Sequence, residues 1–125
     1  MKITTREALE AHAVIPTVSQ KKPPVKVGYA LQRNLRRLRE VAEDAEDQRQ
    51  ALVKQYGKEQ KDGQVAVLMT DRESYEAYMS EWKSILAAQV DIEMHSVKLS
   101  EVKEPFDLTL GEIMSLYFMF EDDLS

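Results

Sequence analysis

Arg33, Arg36 and Arg37 fall three and four residues apart, the spacing that places side chains on one face of a helix. A guanidinium presents a planar fork of donors, so such a cluster has the chemistry to hold phosphates or carboxylates through paired hydrogen bonds. Lys21, Lys22, Lys26 and Arg39 extend it to seven cations, and the five anions Glu40, Glu43, Asp44, Glu46 and Asp47 follow at once. The candidate interaction surface is Lys26, Arg33, Arg36, Arg37 and Arg39. Its plain alternative is a solvated face with Arg36–Glu40 and Arg39–Glu43 pairs, each contributing a few tenths of a kcal/mol at most. An acidic protein, or the acidic tail of a neighbouring copy, suits the block better than nucleic acid, because carboxylates on the same rod repel a phosphate backbone.

The remaining reactive side chains are less organised. His95 alternates with Asp91 and Glu93, as on the polar side of a strand; this pattern fits a metal or acid-base set, but fits a wet strand face better. His12 stands alone beside alanines. Tyr75, Tyr78 and Trp82 recur at helical spacing and read as core before they read as a ring-stacking box. No carboxylate lies in an apolar setting that would raise its pKa, and the four glycines are scattered rather than gathered in a phosphate-cradling loop. The sequence therefore nominates no catalytic, cofactor-binding or metal-ligating residue, calls for no cofactor, and points away from an enzyme.

A chain of 125 residues builds one core, burying roughly two-thirds of the surface its unfolded form exposes. With 43% hydrophobic and 31% charged residues it lies in the globular range. The absence of cysteine removes thiolate nucleophiles, disulfides and thiolate metal sites together. A net charge of −5 argues against general nucleic-acid binding, although a local basic patch can overrule the average. No run approaches the roughly 18 apolar residues of a membrane span, so a cytoplasmic protein without membrane contact is expected.

These side chains must be carried by a small set of elements. Residues 1–4 alternate weakly as an edge strand, and Thr4 with Glu7 has the spacing of a capping box for a short helix that should end or kink before Pro16. Residues 20–24, with two lysines and two prolines, read as a linker, so that 1–24 form an N-terminal arm. Residues 25–57 form the long helix, with Gly57 placed as a left-handed cap. Along it Leu31, Leu35, Leu38, Ala42, Ala45, Arg49, Leu52 and Tyr56 follow steps of four and three. Leu31, Leu35, Leu38, Leu52 and Tyr56 are the candidate packing or self-association stripe.

Residues 58–125 read as a β-α-β-α part of the same single domain. Asp62-Gly63 signals a turn, residues 65–69 a strand, and Thr70 with Glu73 a second capping box. Tyr75, Tyr78, Met79, Trp82, Ile85 and Leu86 then line one helix face to about residue 89. Val90, Ile92 and Met94 alternate with polar residues as a half-buried strand that continues, after a bulge, through Val97 and Leu99. A parallel crossover with residues 65–69 and an antiparallel pairing with residues 1–4 fit equally. After Pro105, Thr109 and Glu112 make a third box for a last helix over 110–120, apolar nearly all round, with Glu121, Asp122 and Asp123 keeping its end in water. The expected fold is α+β, mainly helical, with the long central helix packed on two later helices and a small two- or three-stranded sheet.

Pro24-Val25-Lys26-Val27, Tyr29-Ala30, Asn34, Leu38, Leu52, Lys54 and Tyr56-Gly57 form one recurring pattern. Val90-Asp91-Ile92, Leu99, Leu108-Thr109, Glu112, Leu116, Phe118-Met119 and Glu121-Asp122 continue it. Together they resemble small uncharacterised proteins encoded by phages and prophages, departing from them at Leu110, where a proline is expected, and Tyr117, where a glutamate is usual. The resemblance implies a phage setting, in the cytoplasm of a bacterial host or associated with the virion. Small non-enzymatic proteins there assemble into particles or bind and block a host component; no site residues come with the likeness. The expected function is a protein-interaction module whose partner is itself as a homo-oligomer or a host or phage protein. Phosphate or nucleic-acid binding through the basic segment 21–39 is the alternative.

Overall fold

Thr4 starts the first helix as its sequence requires. Its hydroxyl accepts from the Glu7 amide at 3.1 Å, and Glu7 Oε1 accepts from the Thr4 amide at 3.0 Å, closing the capping box. In the computed structural model, which describes residues 1–98 and 108–121, α1 spans Thr5–Ser19 and runs through Pro16 instead of ending before it. An interior proline costs ~3 kcal/mol. Pro16 is exposed, however, and the buried stripe Ala8, Ala11, Ile15 and Val18 continues past it. Burying Ile15 and Val18 contributes about 1.5–3 kcal/mol apiece, enough to outweigh the proline.

Lys22, at φ 55, turns the chain into α2, Val25–Tyr56, a single helix of 32 residues. Within residues 1–24, α1 is the most extensive neighbour of α2. Its packing rotates the buried stripe of the first half of α2: Val27, Ala30, Leu31, Asn34 and Leu38 are wholly enclosed, while Leu35 and Ala42 are half-buried. Ala45 and Leu52 carry the buried line onward.

Gly57 ends α2 in an extended conformation, φ −86 and ψ 166, and not as a left-handed cap. It is needed for close approach: a Cβ would collide with the Val53 carbonyl oxygen and lie 2.7 Å from Val65 Cγ1. The chain then makes a hairpin of β2, Lys58–Glu59, and β3, Val65–Ala66, paired antiparallel. Gly63, at φ 81, and Asp62, whose carboxylate accepts from the Gln64 amide at 3.1 Å, form its turn. The strand expected over 65–69 is cut to two residues because its partner β2 offers only two.

The second capping box does not form. α3, Arg72–Ala87, has Asp71 at its cap position, and the Asp71 carboxylate turns to Lys58 Nζ at 3.1 Å. α3 packs on the C-terminal half of α2, and its apolar face is half-covered with no residue fully buried. At its end, the Ala88 carbonyl accepts from the Thr5 amide at 2.8 Å.

β1, Lys2–Thr4, pairs antiparallel with β4, Gln89–Asp91, matching Ile3 with Val90. Of the two pairings open to the sequence, the fold takes this one. The alternation holds in burial from Val90 to Met94 and lapses at His95, which is also half-buried, and the backbone leaves the ladder after β4. β5, Val97–Lys98, resumes in parallel with β6, Phe120–Glu121.

The last helix is shorter than its apolar run. α4 spans Leu110–Ser115 behind an intact Thr109–Glu112 capping box, after which Leu116 turns the chain into a 3₁₀ turn, Tyr117–Met119. Leu116, Phe118 and Met119 are all buried. On a regular helix those three positions would spread over an arc of about 160° at about 100° per residue, wider than the usual apolar stripe of about 100°. Breaking the helix lets each reach the core. The features expected at Leu99, Pro105, Asp122 and Asp123 lie outside the described residues. The fold is α+β and mainly helical, with α2 packed against the later helices and a small antiparallel sheet.

Candidate interaction surfaces

The members of the basic segment make different contacts in the fold. Lys21 Nζ donates to Glu112 Oε1 at 2.6 Å, joining the turn before α2 to the start of α4. That hydrogen bond, helped by the Thr109 amide, holds the Glu112 carboxyl below the usual carboxylate range. Arg37 Nη1 donates to the Glu93 carbonyl at 2.5 Å and lies 3.3 Å from its carboxylate. Arg33 donates to the Tyr29 hydroxyl at 2.7 Å and sits over the ring, 5.5 Å from its centroid. Arg36, Arg39 and Lys26 are exposed. Among the described residues the expected Arg36–Glu40 and Arg39–Glu43 pairs are absent; the intrahelical pairs that form are Arg49–Glu46 and Arg72–Glu76.

Asp91, Glu93 and His95 do not converge. Asp91 takes the N-terminal amine at 3.1 Å, Glu93 takes Arg37, and the His95 ring stands edge-on to Tyr29 at 5.5 Å. His95 is half-buried instead of wet, because Asn34 grips its backbone: the Asn34 amide donates to the His95 carbonyl at 2.9 Å and accepts from its N–H at 2.8 Å. Asn34 thus supplies the hydrogen bonds that a neighbouring strand would have made where β4 has ended. His12 is half-buried on α1.

Tyr75, Tyr78 and Trp82 are half-buried rather than core. Tyr75 and Tyr78 line a cavity of about 250 Å³ with Arg49, Val53, Val65, Ala66 and Val67. Its one charge is already satisfied, since Arg49 makes two bonds to Glu46, at 2.9 and 2.7 Å. These bonds hold the Glu46 carboxyl down to about 2, and they and Tyr78 hold Arg49 above its ordinary value.

A different surface is made by α4. Leu110, Ile113, Met114 and Tyr117 remain 73%, 44%, 66% and 55% exposed. Their neighbours Leu116, Phe118 and Met119 point inward and anchor the segment, so the outer side chains cannot turn in to the core. Met114 and Tyr117 line a cavity of about 430 Å³ with Glu7, Glu10, Gly111 and Ser115, giving the apolar shelf an acidic rim. The Tyr117 hydroxyl donates to Glu7 Oε2 at 2.6 Å, which lowers the Glu7 pKa and raises that of Tyr117.

The sequence stripe Leu31, Leu35, Leu38, Leu52 and Tyr56 is covered within one chain, with Leu31, Leu38 and Leu52 buried and Leu35 and Tyr56 half-buried. Sequence reasoning missed Asn34, the Lys21–Glu112 bond and the Tyr117–Glu7 bond. Asn34 had a readable signal, a polar residue midway between Leu31 and Leu38 on the packing side of the helix. The other two join residues about a hundred positions apart and have no local signature. No family profile, curated protein or solved structure matches the chain.

Proposed function

We propose that this protein is a non-catalytic protein-interaction module of phage or prophage origin, serving either as a particle-assembly or accessory component or as a binder that inhibits a host component. The observation that carries this reading is the α4 shelf, where Leu110, Ile113, Met114 and Tyr117 stay exposed beside Glu7 and Glu10. Grouped apolar side chains with a polar rim are the usual mark of a protein-binding surface. The acidic rim suits a partner segment that presents apolar residues flanked by lysine or arginine.

The test is capture from bacterial lysate by wild-type protein and by the double variant Leu110→Ser, Met114→Glu, with circular dichroism as the control for folding. Both side chains are exposed, so the variant should fold normally and lose the captured partner. Retention of the same partner by the folded variant would remove the shelf from the interaction.

A further inference from the structure

The outer side of α2 is divided into two charge blocks of opposite sign, and neither block is neutralised by its own helix. At about 100° per residue, Arg33, Arg36, Glu40, Asp44 and Asp47 fall within a sector roughly 80° wide, opposite the line of Leu31, Asn34, Leu38, Ala45 and Leu52. All five are exposed, and Glu43 is exposed beside them. Within the basic block the side chains are neighbours three and four apart, as are Glu40, Glu43, Asp44 and Asp47 in the acidic block. Like charges at those spacings destabilise a helix by a few tenths of a kcal/mol per pair. Among the described residues Arg33 bonds to a tyrosine and no ion pair is drawn by Arg36, Glu40, Glu43, Asp44 or Asp47.

We propose that this face is a self-association surface, on which a second copy of the chain lays its own α2 antiparallel so that the basic block of each meets the acidic block of the other. The symmetry of the spacing selects this occupant. With a two-fold axis crossing near Glu40, Arg33 of one copy faces Asp47 of the second and Arg36 faces Asp44, each contact occurring twice over about 21 Å of helix. A parallel arrangement sets arginine on arginine and is excluded by the same charges. A phosphate backbone would gain the arginines but meet the four carboxylates on the same face.

The axis also brings the two Glu40 carboxylates together, so Glu40 opposes the dimer that its neighbours hold. Solvated ion pairs are individually weak, and the interface draws its specificity from their number and order. The dimer extends the interaction reading but leaves the α4 shelf untouched, so either surface can fail without the other.

The full-length chain is measured by light scattering and sedimentation. Wild type should dimerise at ~0.1 M salt and dissociate towards ~1 M, where screening shortens the reach of charges to about 3 Å. The variant Arg33→Glu, Arg36→Glu and the variant Asp44→Lys, Asp47→Lys should each associate at least about tenfold more weakly, because like charges then face each other. An equimolar mixture of the two should form a heterodimer, and Glu40→Gln should tighten the wild-type dimer. Loss of a fold cannot imitate that rescue. Wild type that stays monomeric at low salt would overturn the proposal, as would a mixture no better associated than its components. So would a basic block that shifts DNA or RNA while the chain remains monomeric.

Discussion

The two halves of α2 are held in different ways. In the first half, Val27, Ala30, Leu31, Asn34 and Leu38 are enclosed by α1, by the segment around Ile92 and Val97, and by Leu116 to Met119. In the second half only Ala45 and Leu52 are buried, and α3 covers the helix without burying one of its own residues completely. The first half belongs to a core closed from several sides, whereas the second belongs to a two-layer extension carrying a short hairpin. Stability is therefore concentrated at one end of a helix whose charged outer face is continuous along both.

The largest effect should come from truncating the closed core. Leu38→Ala is expected to cost ~2–5 kcal/mol, because Leu38 is wholly enclosed. Leu52→Ala should fall at or below the bottom of that range, since Leu52 borders an open cavity of about 420 Å³ with Ser84 and Ile85. Urea denaturation followed by fluorescence and circular dichroism reads both, and equal losses would erase the distinction between the two halves.

A smaller loss, about 1–3 kcal/mol, is expected for Asn34→Leu, which strands the N–H and C=O of His95 without the amide that serves them. Leucine branches at the same atom as asparagine but makes no hydrogen bond, so the variant removes both bonds to the His95 backbone at once. Hydrogen exchange at His95 is the direct readout; an unchanged rate would mean that Asn34 does not hold this segment.

The smallest effect is with pH, and it touches both halves. Glu7 and Glu112 in the closed part, and Glu46 and Asp71 in the extension, all have lowered pKa values. Each therefore contributes stability that is complete above its ordinary value, 4.5 for glutamate and 3.8 for aspartate, and is lost as pH falls through the depressed folded value. The urea midpoint should be flat from neutrality to about pH 5 and decline below it. In Glu112→Gln part of that decline should vanish, because Lys21 sets that titration. A decline identical to wild type would show that the Lys21 contact is not made in solution.

Much of the fold could be read from short stretches of residues. Thr4 with Glu7 and Thr109 with Glu112 cap the helices that follow them, and Asp62-Gly63 turns the hairpin, because each signal acts within a few bonds of its residues. Thr70 with Glu73 carried the same signal and failed, because the helix begins one residue later, at Arg72, and puts Asp71 at the cap position. Pro16 misled in the opposite direction: its local cost was visible, but the burial that offsets it depends on α2. Of the candidate surfaces, the charge blocks were legible, whereas the α4 shelf was not, since nothing in residues 110–120 marks which apolar side chains turn inward.

The order of residues alone determined where α1, α2 and α4 begin, the unbroken length of α2 and the reversal of charge midway along its outer face. Capping, helical periodicity and side-chain charge are properties of neighbours in the chain. Tertiary structure decided that β1 pairs with β4, that α1 rotates the buried line of α2 onto Asn34, and that Leu116, Phe118 and Met119 leave Leu110, Ile113 and Met114 outside. Those outcomes depend on competition among distant apolar faces for one limited interior, and they are settled only when every element is in place.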